Sequence, residues 1–537
     1  MKISRFHISN HSRIQDCDIE VRNHLVLVGP NDSGKSSILR CLNLALGAST
    51  AQIYAQLSAA DLRCTHDPLT VKVVLSDFTS DEIAAFPDEI RIDPSTNERF
   101  LCIQLYADVE ADGATLSVRR VIENSLMSRS VRRDDQQAFA WHFLSATQTA
   151  SRDIQPGRTG TIELILKSLD LGEERENFDE LIRLLSERLE ESSVLGDLRA
   201  KLADRLSRAL PQEIEKDHLA FVPNSAASAD PLSDARLRVM RRGDFRDLTE
   251  QSDGTRALFA MAFNDLVSET SNIVAIDEPE LHLHPSSQRT LAKLFRDGPN
   301  QKILASHSPD IVGAFPPESI VSVRKDGHVV QPSRNFLNSQ DKLIARWWVK
   351  ERLEPLTADH VVWVEGPSDR ILLSRVAELL HLDLDRNGLA VAELGGVGDF
   401  GHIVRLFGDL GFQSPFTLLI DQDAEAGVAS KLGCPVGDLE VNGVLTCRRD
   451  LEDEYVAAIG YLDCLTLLRD SGFFSHRELQ TCVPTGPNGS YQHDDIWRFC
   501  KSKKILSAIA VGAWLSPGVA SRLGALSSVV ARLKTLR

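Results

Sequence analysis

At 537 residues, with 42% apolar and 25% charged side chains, the chain is long enough for two or three cored domains and too apolar to be disordered by default. Its net charge of −16 speaks against a large non-specific DNA-binding surface, and no stretch approaches the roughly 20 apolar residues of a membrane span. Nine cysteines, with no Cys-x-x-Cys pair, exclude a zinc ribbon or disulfide framework; with no charged-then-apolar leader, they point to a reducing cytoplasm.

Met1–Ile8 and Ile14–Val21 read as short strands leading to the apolar run Leu25–Val28. Next comes Gly29-Pro30-Asn31-Asp32-Ser33-Gly34-Lys35-Ser36-Ser37, a phosphate-binding loop that opens a helix over Ser36–Leu46, with Ile38, Leu39, Leu42 and Leu46 on one face. Consecutive N–H groups at a helix N-terminus wrap a phosphate; Lys35 reaches the terminal phosphates and Ser36 can ligate Mg²⁺, so Asn31, Gly34, Lys35, Ser36 and Ser37 are expected to bind ATP. Val71–Phe78, Phe100–Val109 and Ala114–Val121 look like an antiparallel meander. Leu181, Leu185, Leu189, Leu195, Leu198, Leu202 and Leu206 recur at helical spacing, either as an arm or dimerisation insertion (about 160–215) or as an ordinary subdomain packed on its own domain. Arg236, Arg238, Arg241, Arg242 and Arg246 form a basic cluster that either binds phosphates or balances nearby carboxylates.

Parallel α/β structure returns at Asn272–Ile276, Lys302–Ala305 and Ser319–Val323. The first of these strands runs into Asp277-Glu278, where Asp277 would hold Mg²⁺ and Glu278 would orient or deprotonate the attacking water. His307 follows the next strand, positioned to sense the γ-phosphate. Ser252-Asp253-Gly254 resembles the signature loop of ABC-type ATPases, and that resemblance implies two copies sandwiching ATP, with Ser252 and Gly254 completing the partner's site. His282 and His284 resemble the partner-contacting loop of that class more than a metal pair.

A boundary near residue 345 separates this ATPase domain (1–345) from a smaller α/β unit (346–537) with strands at His360–Val364, Leu389–Leu394 and Phe416–Ile420 and helices at Asp369–Leu380 and Phe400–Leu410. Glu365-Gly366-x-x-Asp369, Leu394-Gly395-Gly396 and Asp421-x-Asp423 are laid out as in a Toprim domain. Glu365 would end a buried strand, Gly366 permit a sharp turn, and Asp421 and Asp423 project together at period two. Carboxylates at the C-terminal edge of a parallel sheet make a hard site for Mg²⁺ or Mn²⁺, so Glu365, Asp369, Asp421, Asp423 and Glu452 are candidate ligands, with Asp450 secondary. Lys504, ahead of Lys503, is the candidate catalytic cation. None of Tyr54, Tyr106, Tyr455, Tyr461 and Tyr491 lies in a basic winged-helix-like segment, and a cysteine-rich zinc module is absent, which leaves hydrolysis rather than topoisomerase or primase chemistry.

An ABC-type ATPase followed by a Toprim domain resembles the OLD (overcoming lysogenization defect) family of nucleases across nearly the whole chain. The resemblance implies an ATP-regulated, divalent-metal-dependent DNA endonuclease in phage defence or DNA repair. It implies a homodimer or higher homo-oligomer through the ATPase domain and no membrane role. The resemblance leaves open a helicase partner, since some members, such as the nuclease subunit of the Gabija system, pair with one and others do not. Catalysis would then fall to Glu278 and His307 in one domain and to Glu365, Asp421 and Lys504 in the other. The alternative is a RecF/SMC-like DNA-binding ATPase whose Toprim module only scaffolds a partner.

Overall fold

Short apolar-alternating runs make the chain strand-rich from its first residues. A computed structural model describes all but residues 111–114, 124–127, 146–186, 210–212, 223–235, 242, 248–253, 256–257, 259–271, 339–352, 396–399 and 537. The chain divides into two units, Met1–Val329 and Val330–Arg537.

In the first unit the strands are β1 (Lys2–Ser9), β2 (Cys17–Glu20), β3 (Leu25–Val28), β4 (Leu69–Ser76), β5 (Arg91–Ile92), β6 (Arg99–Val109), β7 (Leu116–Ile122) and β8 (Arg129–Ser130). They are followed by β9 (Trp141–Ser145), β10 (Leu219–Val222), β11 (Arg236–Arg241), β12 (Asp244–Asp247), β13 (Ile273–Asp277), β14 (Gln301–Ala305), β15 (Ile320–Val323) and β16 (Val329–Val330). One sheet is antiparallel, in the order β2-β1-β4-β6-β7-β8 with β5 on β6. Residues of β4 alternate between buried and half-exposed, as a strand with one face on a core requires. The second sheet runs β16-β15-β3-β14-β13-β9, with β15, β3, β14, β13 and β9 parallel. Its strands β3, β14 and β15 are buried along their whole length, which explains the unbroken apolar run of β3, while β14 and β15 also bury Gln301, Lys302 and Ser322. Helix Lys35–Leu46 places Ile38, Leu39, Leu42 and Leu46 in one core with Phe6, Val71, Ile103 and Leu105, joining the two sheets.

Strand β9, whose residues pair one-to-one with β13 from Ile273↔Trp141 to Asp277↔Ser145, carried no expectation of a strand. The expected arm falls mostly outside the described residues. Its described helix Ser193–Ala209 turns Leu202, Ala203 and Leu206 onto Leu219, with Leu198, Ile214 and Phe221 against them, so this stretch packs on its own unit. In the hairpin β11–β12, Arg238 stands opposite Asp247 and Arg241 opposite Asp244.

The second unit is built on β17 (His360–Val364), β18 (Leu389–Glu393), β19 (Phe416–Asp421) and β20 (Val444–Cys447), all parallel in the order β18-β17-β19-β20. Trp363 is fully buried and packs on Phe407, with ring centroids 5.3 Å apart. Helices Pro367–Leu379, Leu451–Ile459, His493–Ser502, Lys504–Trp514 and Gly524–Thr535 bury Leu372, Tyr455, Phe499, Val511 and Val529 in one core against the sheet. Parallel strands bring β17, β19 and β20 to a common carboxyl edge, and the acidic residues gather there.

Candidate functional site

Two sites are built at the C-terminal ends of parallel strands, one in each unit. In the first, β3 delivers the chain into the loop Gly29–Gly34. Gly29 has no room for a side chain, because a Cβ there would lie 2.1 Å from the Val323 carbonyl oxygen. Gly34 adopts a left-handed φ of 106° at the helix N-cap, a conformation that favours glycine. Lys35 is buried, and its Nζ donates to the carbonyl oxygens of Gly29 (3.0 Å) and Pro30 (2.7 Å). Burial lowers its pKa, partly offset by Glu278, Asp277 and Glu280. Ser36 Oγ donates to Asp277 Oδ1 at 3.0 Å, so the expected Mg²⁺ pair already touches. Burial raises the Asp277 pKa, with Ser36 opposing it. The Ser33 hydroxyl is buried with no hydrogen-bond partner among the described residues. A cradle that excludes a Cβ and leaves a buried hydroxyl unused fits a phosphate chain with its cation.

Glu278 sits in the left-handed region at φ 49°, its N–H held by the Ala305 carbonyl at 2.9 Å. A non-glycine residue held there costs of order 1 kcal/mol, a strain that concentrates at working sites. His307 follows β14. Burial lowers its pKa, Lys35 lowers it further and Glu278 opposes them, so Lys35, Glu278 and His307 share one field. Glu280 has a role that sequence reasoning missed. Its Oε2 accepts Ser306 Oγ at 2.9 Å and its Oε1 accepts the His307 backbone N–H, pinning the histidine's loop to the acidic turn. Ser252 lies outside the described residues. Gly254 is packed so closely that a Cβ would lie 2.5 Å from the His282 carbonyl oxygen. His284 caps the helix Pro285–Asp297, its Nδ1 accepting the Ser286 N–H.

In the second unit Glu365 follows β17 and accepts the Asp421 N–H on Oε1 at 2.9 Å, tying two strand ends together. Asp369, in the first turn of Pro367–Leu379, accepts the Gly366 N–H at 2.9 Å. Gly366 corrects an expectation: its φ of −156° is ordinary extended backbone, so the turn does not require glycine. Asp423 corrects another, because β19 ends at Asp421 and Asp423 lies exposed in the 3₁₀ turn Gln422–Ala424, off the strand's period.

These acids are electrostatically crowded. The Asp421 carboxyl is pushed up to about 8 by burial, then by Glu365 and Asp369, with Lys504 opposing. Asp369 is pushed up to about 7 by burial, then by Glu452 and Glu365 against the Gly366 N–H and Lys504. Burial raises Glu365 and Glu452 too. Glu452 Oε2 is buried without a hydrogen bond and stands 3.7 Å from Lys504 Nζ. Among the described residues no three His, Cys, Asp or Glu side chains are arranged to hold a metal ion as they stand. The donor set nevertheless suits a hard dication in chemistry and charge: buried and half-buried carboxylates that repel one another, one with an oxygen that accepts no hydrogen bond.

The three lysines separate cleanly. Lys503 Nζ binds Glu478 Oε1 at 3.0 Å and Lys501 Nζ binds Asp450 Oδ2 at 2.8 Å, whereas Lys504 faces Glu452, Asp421 and Asp369, which raise its pKa against desolvation. Asp450, the secondary ligand candidate, is occupied: it accepts the Asp453 N–H and the Trp497 indole N–H as well as Lys501.

Comparison with known proteins agrees with this two-part layout. Residues 25–313 match the family model described as "AAA domain, putative AbiEii toxin, Type IV TA system", and residues 356–423 match "Overcoming lysogenization defect protein-like, TOPRIM domain". The chain is 25% identical over 466 residues to the OLD nuclease of Thermus scotoductus, covering 78% of this chain and 82% of that protein. It is 28% identical over 191 residues to endonuclease GajA of Bacillus cereus, covering 33% of this chain and 32% of that one. Identity to the Old nuclease of Escherichia phage P2 is 19% over 469 residues, or 77% of this chain and 76% of that one. With the AAA-type model matching more than half its length, the chain belongs to that ATPase family, and the OLD-like Toprim domain behind it gives it the two-part layout of the OLD nucleases it resembles.

Proposed function

We propose that this chain is an ATP-regulated, divalent-metal-dependent DNA endonuclease. The observation that carries the reading is the crowding of Glu365, Asp369, Asp421 and Glu452, with Lys504 opposing them, at one sheet edge. Such a set is costly to keep ionised in isolation and becomes favourable once a dication is shared. Similarity to proteins named OLD nuclease and endonuclease GajA supports the same reaction class. Glu365, Asp369, Asp421 and Glu452 would hold Mg²⁺ or Mn²⁺, with Asp423 at the exposed rim. A cation bound there supplies Lewis-acid stabilisation of the phosphate and a more acidic water.

The chain's own residues do the rest. Asp421 accepts the proton of the attacking water as its oxygen bonds to phosphorus. Lys504 neutralises the phosphate as the P–O3′ bond breaks, and the leaving 3′-oxygen takes its proton from bulk water. In the other unit, Lys35 and the Gly29–Gly34 loop would bind ATP, Asp277 and Ser36 its Mg²⁺, and Glu278 and His307 would act on the γ-phosphate. Ser252 and Gly254 of a second copy would close that site, so ATP would drive a homodimer that gates DNA. A cytoplasmic role in phage defence or DNA repair, with or without a helicase partner, follows from the same reading.

Supercoiled plasmid incubated with Mg²⁺ or Mn²⁺ tests the proposal. Cleavage should vanish in Asp421→Ala and persist in Lys35→Ala with altered ATP response. No cleavage by the wild type under any metal or nucleotide condition favours the second reading, a DNA-binding ATPase with a scaffolding Toprim module.

A further inference from the structure

We propose that Trp497 is a positioning residue that clamps together the three segments carrying the Toprim carboxylates and Lys504. The inference rests on the metal-dependent reading of that site. Trp497 lies in His493–Ser502 and is not itself one of the candidate site residues. Arg449 lays its guanidinium 3.3 Å from the centre of the indole ring, and Lys501 Nζ lies 5.1 Å from the same centre. The indole N–H donates to both Asp450 oxygens, at 2.8 and 3.0 Å.

Each of these contacts leads to a different part of the site. Arg449 holds a left-handed φ of 60°, and its backbone is tied to Gln422, the residue between Asp421 and Asp423. The Arg449 N–H donates to Gln422 Oε1 at 3.2 Å, and the Gln422 N–H donates to the Arg449 carbonyl at 3.3 Å. Asp450 is the N-cap of Leu451–Ile459, accepting the Asp453 N–H at 2.9 Å, and so fixes the first turn that carries Glu452. Lys501 binds Asp450 three residues before Lys504, across the break at Lys503 between two helices. The Asp421 turn and the Glu452 turn therefore meet on one indole, carried by the helix that ends just before Lys504. Asp494 at 2.9 Å and Asp453 at 3.4 Å also hold the Arg449 guanidinium, which keeps it over the ring. The spacing of these carriers sets how readily the carboxylates converge on a shared ion.

Thermal unfolding of the full-length chain as a function of Mn²⁺, without DNA or nucleotide, tests the clamp independently of cleavage. In Trp497→Ala the half-saturating Mn²⁺ for stabilisation is expected to rise about tenfold, the lower end for loss of a group that orients metal ligands. Trp497→Phe keeps a ring beneath Arg449 and should recover most of that loss. Arg449→Ala removes the stack without touching the core and should raise half-saturation several-fold, a check that holds if Trp497→Ala does not fold. A lower midpoint in EDTA with unchanged half-saturation in Trp497→Ala and Arg449→Ala would overturn the clamp and leave the metal site standing. No response to Mn²⁺ in the wild type would overturn both.

Discussion

Replacing Asp421 by Asn should make the metal-free protein more stable while abolishing its cleavage. In the fold this carboxyl titrates near 8 rather than at its ordinary 3.8, because burial and the neighbouring Glu365 and Asp369 oppose its charge. At about pH 7 folding therefore requires protonation of a group that is ionised in the unfolded chain. At 1.36 kcal/mol per pKa unit the ceiling is roughly 4 kcal/mol. Asp421 is only partly buried, so screening reduces the usable figure to about 1–2 kcal/mol. An amide in its place carries no such cost. Stability of the wild type falls as pH rises from 3.8 toward 8, because the unfolded chain gives up this proton before the folded one. The advantage of the Asn variant should thus be near zero around pH 4, grow through neutrality and level off above about 8. Calorimetry in EDTA should show the unfolding transition about 2–8 °C higher at pH 7, given roughly 2–4 °C per kcal/mol for a unit of this size. A variant that is equally or less stable at pH 7, or whose difference is the same at pH 4 and pH 8, refutes the crowding argument.

Other outcomes follow from the same geometry. Lys504→Ala should cut cleavage at least about 100-fold, as for a removed transition-state cation, whereas Lys503→Ala, which breaks only the Glu478 pair, should stay within about threefold. Single-turnover plasmid assays compare the two. Glu280→Gln removes the charged acceptor of the Ser306 hydroxyl and the His307 N–H, so ATP hydrolysis should slow about 10–100-fold with ATP affinity little changed, measured by phosphate release and nucleotide titration. Glu278→Gln should bind ATP without turning it over and accumulate dimers in light-scattering chromatography; a monomer at saturating ATP would contradict the sandwich.

Much of this architecture is written locally. The P-loop, the strand before it and the carboxylates after β13, β17 and β19 are contiguous, so composition and period reveal them. Strand β9 is invisible by the same test. Trp141–Ser145 is short, follows the left-handed Ala140 and gains its place only by pairing with β13, which is distant in sequence. Glu280 reads as one more acid in an acidic turn until β14 brings Ser306 and His307 to it. The choice between Lys503 and Lys504 depends on a helix break at Lys503 (φ −129°, ψ 38°), which turns consecutive side chains to different neighbours. Gly366 misled in the other direction: a glycine in a motif suggests special backbone, and here the backbone is extended.

The most direct test follows Mn²⁺ binding and strand scission in the same samples, using the Lys35→Ala chain to silence the nucleotide site. Bound Mn²⁺, read by electron paramagnetic resonance, should rise in step with cleavage, and both should be lost when Asp421→Ala is added. Scission that survives the added substitution, or Mn²⁺ that binds undiminished without Asp421, would contradict a cleavage centre at the end of β19.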